Sequence, residues 1–225
     1  MNQSQIHTES GLKSNAGISV YLARIISNAA NPLIIPPLII LATGLAVSMP
    51  LEELGWITLV SLIFYTLIPF STAIYLLKSG KIESLDIPLR ENRNTLFLYS
   101  IISTAFGSLT LMFLYFGRSM FITEIAVVFL LNPVIGFFIN RKFKISIHAG
   151  AVAMAGTLLL TLFQQLPGPV AWLGILSLTV LLVLLPAMIW SRYRLRVHSF
   201  PELIGGAAAG IFITLLEISI IQTIW

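Results

Sequence analysis

Apolar residues dominate this chain in seven blocks, at 32–49, 55–77, 96–117, 120–139, 147–166, 169–190 and 203–224, separated by short polar segments. Most are close to the roughly 20 residues a helix needs to cross about 30 Å of hydrocarbon, so each predicts one membrane-embedded helix. The first block carries Pro32, Pro36 and Pro37. Proline removes a backbone donor and crowds the preceding turn, so this block is expected to kink or to be partly re-entrant. Ahead of the blocks, residues 18–29 place Ile18, Leu22, Ile25 and Ala29 on one helical face, with Ser19, Arg24 and Asn28 away from it. That is the pattern of a helix lying in the membrane interface. The expected fold is all-α: a polytopic transmembrane helical bundle with about seven membrane-embedded helices and an N-terminal interfacial helix. Residues 1–31 form a polar tail with that helix, and residues 32–225 form a single membrane-embedded domain.

Composition sharpens this. Of 225 residues, 57% are apolar and only 10% charged, and mean hydropathy is +0.94. A soluble domain has too little polar surface here to cover such a core. The chain has no cysteine, which excludes disulfides, thiolate metal sites and cysteine nucleophiles. The first sixteen residues lack the basic start, apolar run and small-residue cleavage site of a secretory signal, so the N-terminus is expected to be retained.

Successive spans alternate sides. The N-terminus, 78–95, 140–146 and 191–202 therefore share one face, and 50–54, 118–119 and 167–168 the other. Twelve of the thirteen Lys and Arg residues fall on the first face, and only Arg118 on the second. Positive-inside bias puts the first face in the cytoplasm, and it does so even with Arg90, Arg93 and Arg192 set aside as ligand-binding residues. The net charge of +4 then speaks for anionic headgroups and phosphorylated lipids as partners, not nucleic acid.

The polar chemistry gathers on that same face. His148 lies in KISIHAG and His198 in SRYRLRVHSFPE, each beside basic residues. Ser146 is placed to cap the fifth span, whose free N–H groups favour an anion. Glu202 follows His198 by four residues, within reach of the imidazole on a helix. A third segment, SLDIPLRENRN, supplies Asp86, Arg90, Glu91 and Arg93. Arginines and helix-end N–H groups that hold phosphoryl oxygens, one histidine that attacks phosphorus and another that protonates the leaving oxygen make up metal-independent phosphoryl transfer. Few carboxylates and cationic surroundings suit a metal route poorly.

These segments resemble the type 2 phosphatidic acid phosphatases, whose motifs are K-x6-R-P, P-S-G-H and S-R-x5-H-x3-D. Ser191, Arg192, His198 and Glu202 match the third in spacing, with Glu for Asp. Ile145, Ser146, Ile147 and His148 keep the Ser and His of the second. In the first, Arg93 stands for the motif Arg, Asn94 replaces Pro and Asp86 occupies the Lys position. The resemblance covers about residues 78–224. It implies a helical membrane fold, His198 as nucleophile, His148 as general acid, Glu202 as orienting partner, and Arg93, Ser146 and Arg192 as phosphate ligands, with Arg90 as a candidate replacement cation. The implied activity is hydrolysis of a lipid phosphate monoester or diphosphate (phosphatidate, phosphatidylglycerol phosphate or an isoprenyl diphosphate) through a phosphohistidine, with no cofactor and no metal. The alternative is a lipid-binding or transport protein on the same scaffold without turnover.

Structural readings stand beside these. S-F-P-E at 199–202 is also a capping box for the last span. Arg194, Arg196, Arg141 and Lys142 read as topology or headgroup anchors. Glu217, deep in the last span, is expected to be protonated or hydrogen-bonded and to face the bundle. Gly206 and Gly210 form a small-xxx-small packing pair.

Overall fold

A computed structural model of the chain describes residues 17–81, 90–166, 168 and 170–224, with the side chains of residues 90–96 outside the description. Every regular element among the described residues is a helix. In chain order they are α1 (residues 17–29), α2 (Ile35–Ala46), α4 (Arg90–Tyr115), α5 (Met120–Lys142), α6 (Ile147–Gln165) and α8 (Phe200–Ile224), with α3 (Leu51–Lys78) between α2 and α4 and α7 (Ala171–Arg194) between α6 and α8. Six of them, α3 to α8, are long and apolar enough to cross a membrane. Phe113, Leu182, Phe212 and Ile224 are each at least 70% exposed on the outside of the bundle, as lipid-facing residues are.

The first apolar block differs from the expectation. Only Ile35–Ala46 of 32–49 is helical, about 18 Å at 1.5 Å per residue and short of the roughly 30 Å of a full span. Local chemistry sets both limits. Pro36 and Pro37 cannot donate to a preceding turn, so they occupy the first turn of α2, where no donor is needed. Upstream, Asn31 Oδ1 accepts from the Leu33 N–H at 3.0 Å and holds a turn. At the other end Ser48 adopts φ +53°, and the Met49 N–H reaches back to the Gly44 carbonyl at 2.8 Å, which closes the helix in a Schellman motif. The part-buried carbonyl of Leu33 is satisfied by Thr66 Oγ1 of α3 at 2.6 Å, as non-helical backbone inside a membrane protein must be.

Two helices are widened rather than broken. Leu62–Leu67 in α3 and Val180–Leu184 in α7 are π-helical, and each is followed two residues later by Pro69 or Pro186. In a π-turn the Phe64 carbonyl would pair with the N–H of residue 69, which proline lacks. Ser103 Oγ of α4 donates to that carbonyl instead, at 2.6 Å.

α6 is the most enclosed of the six long helices, with 56% of its span buried. Its run of Ala149, Gly150, Ala151, Ala153, Ala155 and Gly156 lets neighbours approach closely on several sides. α8 uses this most. A Cβ at Gly206 would press into the Ser146 carbonyl, and one at Gly210 into the Gly150 carbonyl. The small-xxx-small pair is thus a parallel contact that aligns the starts of α6 and α8.

The ends of the helices sort as the alternation of spans requires. Ser146 N–H donates to the Glu202 carbonyl at 2.9 Å at one end. At the other, Arg118 meets Glu53 at 3.3 Å and Gln222 meets Glu124 at 3.4 Å. α1 docks at the first end. Of its expected polar side, Ser19 is held by α7 while Arg24 and Asn28 stay exposed: Arg194 Nε donates to Ser19 Oγ at 2.9 Å, and Ser191 Oγ to the Ala23 carbonyl at 2.6 Å. Ile18, Tyr21, Leu22 and Ile25 remain exposed on its other side.

If the α6–α8 contact sets this alignment, Gly210→Val should lower stability by about 1–3 kcal/mol through overpacking. A reduced Tm in detergent would show it, and an unchanged melting curve would refute the close approach.

Candidate functional site

Three helix ends build the site. α6 begins at its N-cap Ser146, whose Oγ accepts from the Ala149 N–H at 3.4 Å. α8 begins just after Ser199. Both present free N–H groups and the positive end of a helix dipole at the same end of the bundle. Between them α7 stops in a second Schellman motif, with the Val197 N–H on the Arg192 carbonyl at 3.3 Å and the Arg196 N–H on the Tyr193 carbonyl at 3.0 Å. The turn requires a left-handed residue, and Arg196 supplies it at φ +56°.

Glu202 is the hub. Its Oε2 accepts from His198 Nδ1 at 3.0 Å and from the Ser199 N–H at 3.1 Å, while Oε1 lies 3.5 Å from Lys144 Nζ. The contact to Ser199 is half of a capping box, and the same carboxylate also fixes the His198 ring. A carboxylate can only accept, which leaves the proton on Nδ1 and the lone pair on Nε2. The His198 side chain is 9% exposed. Burial is the largest influence on it and pushes its pKa below the ordinary imidazole value. The hydrogen bond that His198 donates to Glu202 opposes this, and the charges of Arg192 and Lys144 add to the depression. At neutral pH the imidazole is therefore the free base.

A cavity of about 490 Å³ opens beside this pair, lined by Lys144, Tyr193, Arg194, Arg196, His198 and Glu202 among others. Three cationic side chains face one carboxylate there, so the cavity suits an anion. Of the residues singled out in sequence, His198 and Glu202 are brought together in its wall. Ser146 is fully buried, and its backbone is bonded to Glu202. Arg192 is 4% exposed and donates to Ser27 Oγ of α1 at 2.9 Å. His148 is half-buried in the first turn of α6. These three do not line the cavity. The side chains of Arg90, Arg93, Glu91 and Asn94, and Asp86 altogether, lie outside the described residues. No group of three or more His, Asp or Glu able to hold a metal ion occurs among the described residues.

Sequence reasoning assigned Arg194 and Arg196 to anchoring and passed over Lys144. All three line the cavity. Lys144 had a signal, since it lies two residues before the helix-capping Ser146 and so at the same helix start. Arg196 had none, because its backbone conformation is invisible in sequence.

Comparison of the chain with known protein families, with curated proteins and with solved structures finds no match in any of the three. The resemblance to the type 2 phosphatidic acid phosphatases accordingly rests on the motif residues themselves.

A left-handed arginine costs about 1 kcal/mol relative to glycine, so its side chain must return something. Arg196→Gly should raise Tm while weakening binding of an anionic ligand in the cavity. A variant that loses both stability and binding would place the role of Arg196 in folding alone.

Proposed function

We propose that this protein is a metal-independent phosphatase acting on lipid phosphate monoesters or diphosphates. The observation that carries the proposal is the His198–Glu202 pair set into a cationic cavity at the end of an apolar bundle. Lys144, Arg194 and Arg196 hold the phosphoryl oxygens, where charge concentrates in the transition state. His198 Nε2 attacks phosphorus, the P–O bond to the lipid breaks, and Glu202 stabilises the imidazolium that forms. By the family resemblance, His148 protonates the leaving oxygen, and Arg90 and Arg93 add cations. Water then cleaves the P–N bond to release inorganic phosphate and regenerate the imidazole. The acyl or isoprenyl chain stays in lipid throughout, so the substrate is not extracted from the membrane.

Phosphate release from phosphatidate, phosphatidylglycerol phosphate and an isoprenyl diphosphate in excess chelator tests the reaction. Removal of the nucleophile in His198→Ala should cut kcat by at least ~10³-fold, and His148→Ala by about 10²–10⁴-fold. Because the pKa of His198 is depressed, the acid limb of kcat/KM should fall below the ordinary imidazole range. Glu202→Gln removes the carboxylate charge, an upward influence on His198, and should move that limb lower still. Strict dependence on a divalent metal would overturn the mechanism.

A second reading, a lipid-phosphate binding or transport protein without turnover, is favoured by His148 standing outside the cavity lining. Binding or flux that persists in His198→Ala, with no phosphate released by the native chain, would establish it.

The orientation belongs to this proposal: the cavity faces the cytoplasm of the cell membrane. The native chain has no cysteine, so single thiols report cleanly. Ser199→Cys should resist an impermeant maleimide in intact cells, and Glu52→Cys should react. The reverse pattern would invert the assignment.

A further inference from the structure

Glu217 lies on α8 about 22 Å along the helix from Glu202, far from the cationic cavity. It is 6% exposed. Its Oε2 accepts from Asn132 Nδ2 of α5 at 2.7 Å, but its Oε1 has no partner, and neither does Oγ1 of Thr214, which is fully buried. The other buried carboxylate contrasts with it, since Glu124 is bonded by Gln222 and Gln165.

The two buried oxygens without partners belong to residues three apart on one helix, which are neighbours on its surface. They do not bond each other, but that spacing lets one small species bridge them. The helix that bonds Glu217 through Asn132, α5, is irregular at that level. Pro133 lies inside that helix and removes the donor of the Phe129 carbonyl, which points along the helix towards the level of Asn132. A carboxylate left ionised in hydrocarbon needs a counter-charge, and no Lys, Arg or His among the described residues forms an ion pair with Glu217. A bridging water supplies hydrogen bonds without charge, whereas a divalent ion would leave a net positive charge buried on a single carboxylate. A small monovalent cation satisfies both conditions with the hard oxygen ligands such ions prefer.

We propose that Glu217, Thr214 and the Pro133-broken turn of α5 form a binding site for a small monovalent metal cation within the membrane core. The site is independent of the phosphatase reading, and its test uses no enzymatic activity.

The full-length protein in detergent is melted at fixed pH and ionic strength in lithium, sodium, potassium or choline chloride. Binding to the folded state alone raises Tm with ligand concentration. At least one alkali ion should therefore give a saturable rise of a few degrees over choline. Glu217→Gln, which keeps the hydrogen bond to Asn132 possible, should abolish that rise. Thr214→Val should weaken it, and serves where Glu217→Gln does not fold. Melting that ignores cation identity, or a cation response unchanged in the variant that folds, would overturn the site. A response to pH alone that disappears in Glu217→Gln would also overturn it, in favour of a simple proton acceptor.

Discussion

The parallel contact between α6 and α8 is the constraint on which the site depends. Carbonyl oxygens of Ser146 and Gly150 occupy the space that side chains at Gly206 and Gly210 would fill. This closeness brings the Ser146 N–H within 2.9 Å of the Glu202 carbonyl, and so fixes the start of one helix against the first turn of the other. Glu202 then presents its carboxylate to His198, Ser199 and Lys144 at once. In lipid no hydrophobic force favours one helix pairing over another, so packing of this kind and the hydrogen bonds it permits select the arrangement.

The same rule explains the irregular backbone. At two places where proline removes a donor or a helix gives way to a turn, a side chain from another helix serves the carbonyl left over. Ser103 serves Phe64, Thr66 serves Leu33, and Asn132 turns back to Val128 at 3.3 Å beside Pro133. Other hydroxyls in the spans bond carbonyls of their own helix, whereas Thr58 Oγ1, Thr214 Oγ1 and Glu217 Oε1 are buried without a partner.

Much of the architecture was legible in sequence because hydropathy reports burial in lipid directly. The six long helices, the amphipathic α1, the shared face of the two histidine segments and the packing of Gly206 and Gly210 all follow from residue type and spacing. The His198–Glu202 contact also follows, since an (i, i+4) pair needs only local helix. The length of α2 did not, because Ser48 closes it in a left-handed turn that composition does not announce. Nor did the lining of the cavity. Arg194 and Arg196 look like any basic residues at a span end, and what distinguishes them is the turn geometry at the end of α7 and the approach of Lys144 from another helix. Non-local placement of that sort carries no periodic signature.

α1 leaves Ile18, Tyr21, Leu22 and Ile25 exposed and touches α7 with Ser19 and Ser27. Ser19 holds Arg194, a cation of the cavity wall, and Ser27 holds Arg192, whose charge acts on His198. One short helix, whose apolar side stays exposed, thus tethers both an arginine of the cavity wall and the arginine whose charge bears on the imidazole.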